Sequence, residues 1–161
     1  VDAIAARAGV TKRTLYYHFP SKDDLIAAYL TARDEPTLAH YAAWLDQTKG
    51  DLSEQLLGMF QRLARVTRSA RWKGCGFLRA AAELAGTPGH PALKIGSAHK
   101  KKFEAWLEGC IAAEGLSEPA LRARQVMIVI DGAVAQVLIH RDPAYALAAG
   151  QVAAALIAKK A

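Results

Sequence analysis

Three observations predict an all-α fold. Glycine and proline interrupt the chain at short, regular intervals, from Ala8-Gly9-Val10 to Arg141-Asp142-Pro143. The stretches between these breaks are rich in Ala, Leu, Arg, Gln and Glu, the strong helix formers. Alternating apolar/polar patterns of the strand type are absent, and the one β-branched run, Val126 to Ile130, sits inside a longer helical stretch.

The elements follow in order. A helix over 2–8 presents Ile4, Ala5 and Ala8 on one apolar face and stops at Gly9, where a left-handed backbone is cheapest. Thr11 caps a second helix over 12–18, with Leu15 and Phe19 turned inward at i,i+4 spacing. Ser21 with Asp24 opens a helix over 21–33, and the Glu35-Pro36 break separates it from another over 36–48. Asp51 with Glu54 repeats the capping logic for 52–72, and helices over 77–85 and 91–114 lie between Gly-rich and Pro-rich turns. A helix over 118–140 ends at Arg141-Asp142-Pro143, where Asp142 supplies a cap and Pro143 a first-turn residue for the last helix, 143–160.

With 161 residues, the chain makes one ordinary domain or a core domain with a small appendage. Hydrophobic residues make up 52% and charged residues 22%, the composition of a globular chain rather than a disordered tail. Every apolar run is interrupted by a charge, Gly or Pro before the roughly 18 residues of a membrane span, so no membrane partner is expected. No secretory signal pattern is visible; because the chain starts at Val1 inside a helical pattern, a segment upstream is expected. Cys75 and Cys110 lack partners at zinc spacing, which favours two reduced, buried thiols in a cytoplasmic protein, with no metal and no cofactor. The net charge of +6 leans toward a polyanionic partner without choosing one.

The informative motif lies in the first twenty-odd residues. A short helix, a glycine turn and a second short helix form a helix-turn-helix, in which Ala5, Gly9, Val10 and Leu15 let the two helices cross steeply. The outward face of the second helix carries Lys12, Arg13, Tyr16 and Tyr17, flanked by Thr14 and His18, and no acidic residue occurs from Ala3 to Lys22. Exposed tyrosines beside Lys and Arg are wasted apolar area unless something binds there. A helix of this kind fits the DNA major groove, where Lys and Arg reach guanine edges and Thr or Tyr reach thymine or phosphate. Lys22, near free N–H groups at a helix start, suits a phosphate. The competing interpretation is a helical hairpin with a solvated basic face, and the interleaved aromatics argue against it.

The string from Ile4 to Leu25, I-A-A-R-A-G-V-T-K-R-T-L-Y-Y-H-F-P-S-K-D-D-L, closely resembles the DNA-binding segment of TetR-family transcriptional regulators. The resemblance implies a three-helix DNA-binding domain whose first helix would precede Val1, a larger helical-bundle domain for effector binding and dimerisation, and repression relieved by a small molecule. Carried over by position, Thr11, Lys12, Arg13 and Thr14 belong to the DNA-facing segment, with the last three reading bases. Tyr16, Tyr17 and His18 would touch bases or phosphates, and Lys22 would anchor phosphate. The motif covers about the first thirty residues; the rest agrees in length and helix order. The expected domains are 1–33 for DNA binding and 34–161 for effector binding and dimerisation.

In the larger half, Gln125 to Ile139 is almost uninterrupted and Tyr145 to Ala158 carries no charge. Helices apolar all round are buried on more than one side, which favours a homodimer interface at Val134, Leu138, Ala149, Val152, Ala153 and Leu156 over burial within one subunit. Candidate residues for an effector cavity are Met59, Phe60, Leu63, Phe77, Phe103, Trp106, Leu107 and Met127, although such a stripe also suits plain core. Asp131, in apolar surroundings, serves either a buried hydrogen bond or the cavity, with the structural role favoured. Two basic groups, Arg62 to Arg79 and Lys94 to Lys102, are explained more simply as solvated faces than as anion sites.

No G-x-S-x-G, H-E-x-x-H, P-loop or dinucleotide glycine fingerprint occurs, so no catalytic residue is assigned and an enzyme is not expected. The sequence therefore predicts a homodimeric repressor released from double-stranded operator DNA by an unknown small-molecule effector. The alternative is a helical ligand-binding or protein-interaction module that no longer binds DNA.

Overall fold

A computed structural model of the chain describes residues 1–158. Among them the secondary structure is entirely helical, in eight elements: α1 (Asp2–Ala8), α2 (Lys12–His18), α3 (Lys22–Asp46), α4 (Leu52–Thr67), α5 (Gly76–Glu83), α6 (Pro91–Ala113), α7 (Pro119–His140) and α8 (Ala144–Ile157). The end of the last expected helix, 159–160, lies outside the described residues.

Local chemistry explains most boundaries. Gly9 ends α1 at φ 67, and the Thr11 side chain accepts a hydrogen bond from the Thr14 N–H to start α2. At α4 the Asp51 carboxylate accepts from the Glu54 N–H while Glu54 accepts from the Asp51 N–H, a reciprocal capping box. Ser21 makes only half of one, accepting from the Asp24 N–H at 3.0 Å while its hydroxyl donates to the Asp24 carboxylate at 2.7 Å. α8 begins one residue later than expected, with Pro143 rather than Asp142 at the N-cap position, although the Asp142 carboxylate still accepts from the Ala144 N–H at 2.9 Å. The expected 52–72 helix stops at Thr67, whose hydroxyl turns back to the Ala64 carbonyl.

One expected break is absent. α3 runs unbroken from Lys22 to Asp46 through Pro36, where helices over 21–33 and 36–48 were expected. A proline inside a helix removes a hydrogen bond and crowds the preceding turn, at about 3 kcal/mol. Packing on both sides of the proline offsets this. Leu30 lies in a cluster with Phe77 and Ala92, and Trp44 and Leu45 belong to the main core. At the proline itself, Lys102 of α6 reaches Asp34 at 3.4 Å and Glu35 at 2.5 Å.

The main core lies between α4, α6, α7 and α8, and contains Leu56, Met59, Phe60, Leu107, Val126, Ile130 and Val137. α8 approaches α4 most closely at Gly150, where even a methyl group would fall 2.7 Å from Phe60 Cβ. α3 and α5 pack against α6. α7 is long and apolar enough to cross a membrane by length and composition, but one of its faces is buried in the bundle through Ala123, Val126, Met127, Ile130, Ala133, Val134 and Val137.

Candidate nucleic-acid interface and effector cavity

The seven residues of α2 divide cleanly by burial. Leu15 alone is buried, while Lys12, Arg13, Thr14, Tyr16, Tyr17 and His18 are all exposed, as are Thr11 and Lys22 at its two ends. Tyr17 is 84% exposed, its ring braced edge-on against His18 with centroids 5.2 Å apart. A large aromatic held rigid and bare beside Arg13 has area and orientation ready for a partner. Lys12 is occupied in this structure. Its ammonium meets the Asp2 carboxylate of α1 at 3.1 Å, and this hydrogen bond holds the Asp2 carboxyl below its ordinary value. Both groups stay in solvent, so the pair is weak and open to exchange for a phosphate or base edge. Ile4 and Ala8, expected to face inward, are exposed; Ala5 alone of that trio is buried, on a helix that packs against α2.

A second feature is a cavity of about 550 Å³ between α3, the end of α4, the segment Trp72–Gly76, α5, α6 and α7. Leu63, Phe77 and Phe103 line it, as the sequence suggested. Met59, Phe60, Leu107 and Met127 do not: they belong to the main core between α4, α6, α7 and α8. Trp106 packs on that core beside Phe103. Residues not anticipated include Tyr41 and Trp44 of α3, both aromatic, and the pair Lys100–Asp131 at 2.5 Å between α6 and α7. Asp131 thus has both of the roles weighed for it, a partnered carboxylate and a cavity wall. Lys73 and Arg79, read as solvated, are exposed at the edge of the cavity, whereas Lys100 is half-buried and His99 buried along it.

Two buried histidines face acids of α3, one of them hydrogen-bonded across to it, a feature that sequence reasoning missed. The imidazole of His99 stacks on Phe77 at 3.7 Å and its Nδ1 lies 2.6 Å from Asp34 Oδ1. Burial pushes His99 below its ordinary value despite the Asp34 bond, and that bond holds Asp34 below the usual carboxylate range. A neutral ring donating N–H to an ionised carboxylate satisfies both. His90, the N-cap of α6, accepts from the Ala92 N–H through Nδ1; its buried Nε2 lies 3.3 Å from Asp23 Oδ1 but makes no hydrogen bond. Asp23 and Asp34 stand three turns apart on α3, so both partners lie on one face. The spacing of acids on one helix and histidines near the next was the available signal.

The expected dimer residues divide as well. Val134 and Ala153 lie inside the subunit's own core, Val134 against the cavity and Ala153 between α8 and its neighbours. Leu138, Ala149 and Leu156 are half-buried and Val152 is exposed. Opposite its buried side, α7 leaves Leu121, Ile128, Gly132 and Ile139 bare, and α8 leaves Tyr145, Ala148, Val152 and Ala155 bare.

The sequence profile described as "Bacterial regulatory proteins, tetR family" matches residues 1–29. The chain is similar to SCO4454, a TetR-family transcriptional regulator from Streptomyces coelicolor, at 30% identity and TM-score 0.81, covering 98% of this chain and 84% of that one. The chain belongs to the TetR family. A TetR-family structure from Streptomyces avermitilis agrees at 31% identity and TM-score 0.74, over 89% of this chain and 77% of its own. HTH-type transcriptional regulator YjdC of Escherichia coli is 27% identical over 100 residues, 62% of this chain and 51% of that protein. The chain thus spans about half the length of the curated relatives it matches. SCO4454 and YjdC are both described as transcriptional regulators. Among the described residues no group of three or more His, Cys, Asp or Glu could hold a metal ion.

Proposed function

We propose that this TetR-family chain works in the cytoplasm as a homodimeric repressor that leaves its operator when a small molecule enters the cavity. The observation that carries the reading is the face of α2, where Arg13, Tyr16 and Tyr17 stand uncovered around a single inward anchor, Leu15. On this reading Lys12, Arg13 and Thr14 meet base edges, Tyr16, Tyr17 and His18 meet bases or backbone, and Lys22 meets phosphate at the start of α3. The unit that reads DNA ends near residue 33 within α3, and the remainder binds effector and partner subunit.

The two halves share α3 and are clamped by α6, whose cap His90 faces Asp23 while His99 and Lys100 sit at the cavity. A ligand that prefers one tilt of α3 over another by a hundred-fold biases the equilibrium by about 2.7 kcal/mol. One with equal affinity for both does nothing.

Fluorescence anisotropy on an operator selected from a random duplex library tests the reading. Specific binding should weaken steeply with salt, and Tyr17→Ala or Arg13→Ala should cost at least about 1 kcal/mol. Parental affinity in both variants would remove α2 as the reading face.

A further inference from the structure

Resting on the cavity reading above, we propose that the effector is a flat aromatic anion, a carboxylate on a fused ring system, held by its charge at Lys100 and by its rings between α3 and α6.

The charge balance of the wall points to an anion. Arg33, Lys73, Arg79 and Lys100 face the cavity, and Asp131 is the single carboxylate among the residues that line it. Asp131 is already engaged by Lys100 at 2.5 Å, which leaves no free acid for a cationic ligand. The other three cations make no ion pair among the described residues; all three are exposed and give the cavity a solvated basic rim, while Lys100 is half-buried at its wall. Lys100 has two ammonium hydrogens beyond the one given to Asp131 and can hold a second oxygen.

Two further groups line the same cavity. The Tyr41 hydroxyl has no hydrogen-bond partner among the described residues, and Tyr41 lines the same cavity as Lys100 and Asp131. Burial keeps that hydroxyl protonated well above its ordinary value, so it is a donor without an acceptor, suited to an incoming oxyanion. The N-terminus of α5 opens on the cavity at Cys75, Gly76 and Phe77 with no side-chain cap, adding free N–H groups to the same wall.

Shape sets the rest of the ligand. Tyr41, Trp44 and Phe103 form a continuous aromatic wall, with centroids 5.3 Å apart for Tyr41–Trp44 and 4.9 Å for Tyr41–Phe103. Flat rings stack on such a wall better than branched chains do. A cavity of about 550 Å³ admits a molecule of two or three fused rings.

The test uses 2-naphthoate, its neutral isostere 2-naphthamide and 2-naphthylmethylammonium as probes, titrated into the whole chain with tryptophan fluorescence as readout. Trp44 and Trp72 both line the cavity. Naphthoate should bind at least tenfold tighter than the amide, and the ammonium weakest. Lys100→Met should weaken naphthoate at least tenfold and leave the amide unchanged. Asp131→Asn, which frees the Lys100 charge, should tighten naphthoate, and this arm stands even where Lys100→Met fails to fold. Equal binding of acid and amide, a preference for the ammonium, weaker naphthoate binding in Asp131→Asn, or no naphthoate binding up to millimolar concentration overturns the assignment. Operator release separates the two readings. A neutral probe that binds and releases DNA while the acid does neither sinks the anion assignment alone. Charge-dependent naphthoate binding that leaves the operator complex intact supports the anion site and sinks ligand release.

Discussion

Replacing Ile128 with glutamate should separate the proposed dimer into monomers. Ile128 and Ile139 stand on the same side of α7, 66% and 68% exposed, and Val152 of α8 is 52% exposed. Full burial of an Ile side chain stabilises by roughly 1.5–3 kcal/mol, so covering two-thirds of one contributes about 1–2 kcal/mol. In a two-fold interface each residue counts twice, giving roughly 2–4 kcal/mol per dimer for Ile128. At 1.4 kcal/mol per decade, losing that much raises the dissociation constant roughly 30- to 700-fold, before any cost of facing two glutamates across the axis. Sedimentation velocity from 0.1 to 50 µM measures the shift directly. Because Ile128 points away from the subunit core, the variant should keep the parental helix content and urea midpoint at concentrations where both proteins are monomeric. An unchanged dimer in both Ile128→Glu and Ile139→Glu would show that the α7–α8 face is not the interface. A parent that is monomeric at 50 µM would remove the dimer from the proposal.

Other outcomes follow from the same packing. Pro36→Ala should stabilise by about 1–2 kcal/mol in urea titration, since α3 regains a hydrogen bond and loses a ring clash while the unfolded chain gains some freedom. Gly150→Val should destabilise by at least about 1–3 kcal/mol, because its Cβ alone would fall 2.7 Å from Phe60 Cβ, whose position is fixed by the α4 backbone. Acid should weaken the fold through two groups acting in one direction. His99 sits below its unfolded value near 6.5, so the unfolded chain binds the proton first and stability declines as pH falls past about 6.5. Asp34, also held low, stabilises above its unfolded value near 4 and loses that contribution as pH falls further. Thermal melts from pH 7.5 to 5.0 should therefore slope downward, and His99→Phe, which keeps the stacking on Phe77, should flatten the slope between 6.5 and 5. Glu118 adopts φ 53, so Glu118→Gly should raise the melting temperature slightly by relieving up to about 1 kcal/mol of backbone strain.

The parts of this protein that were legible in the sequence are those governed by neighbours in the chain. Gly9, Thr11, Asp51 and Asp142 act on backbone groups within a few residues, so their effect can be read without knowing the fold. The face of α2 was legible for the same reason, since seven residues of helix determine which side Leu15 takes and which side is left to Arg13 and Tyr17. Pro36 shows where such reasoning stops. Its local cost is real, and it is offset by burial against residues far along the chain, Leu30 on Phe77 and Ala92 and Trp44 and Leu45 in the main core, with Lys102 adding a weaker surface contact to the two acids ahead of the proline.

The cavity was harder to read because apolar residues on one helix look alike whether they face a void or a neighbour. Met59 and Leu63 are one turn apart on α4, yet Met59 meets the main core and Leu63 the cavity wall. What distinguishes a cavity wall from core is the presence of polar groups that core does not tolerate alone. Asp131, Lys100, His99 and Tyr41 are such groups, each in a stretch otherwise apolar on its inner face. Taken singly they read as a buried hydrogen bond or a solvated charge. Taken together, a carboxylate inside α7 and a lysine inside α6 pair across the bundle, and a pair that leaves ammonium hydrogens and a tyrosine hydroxyl unspent marks the place where a ligand would complete the network.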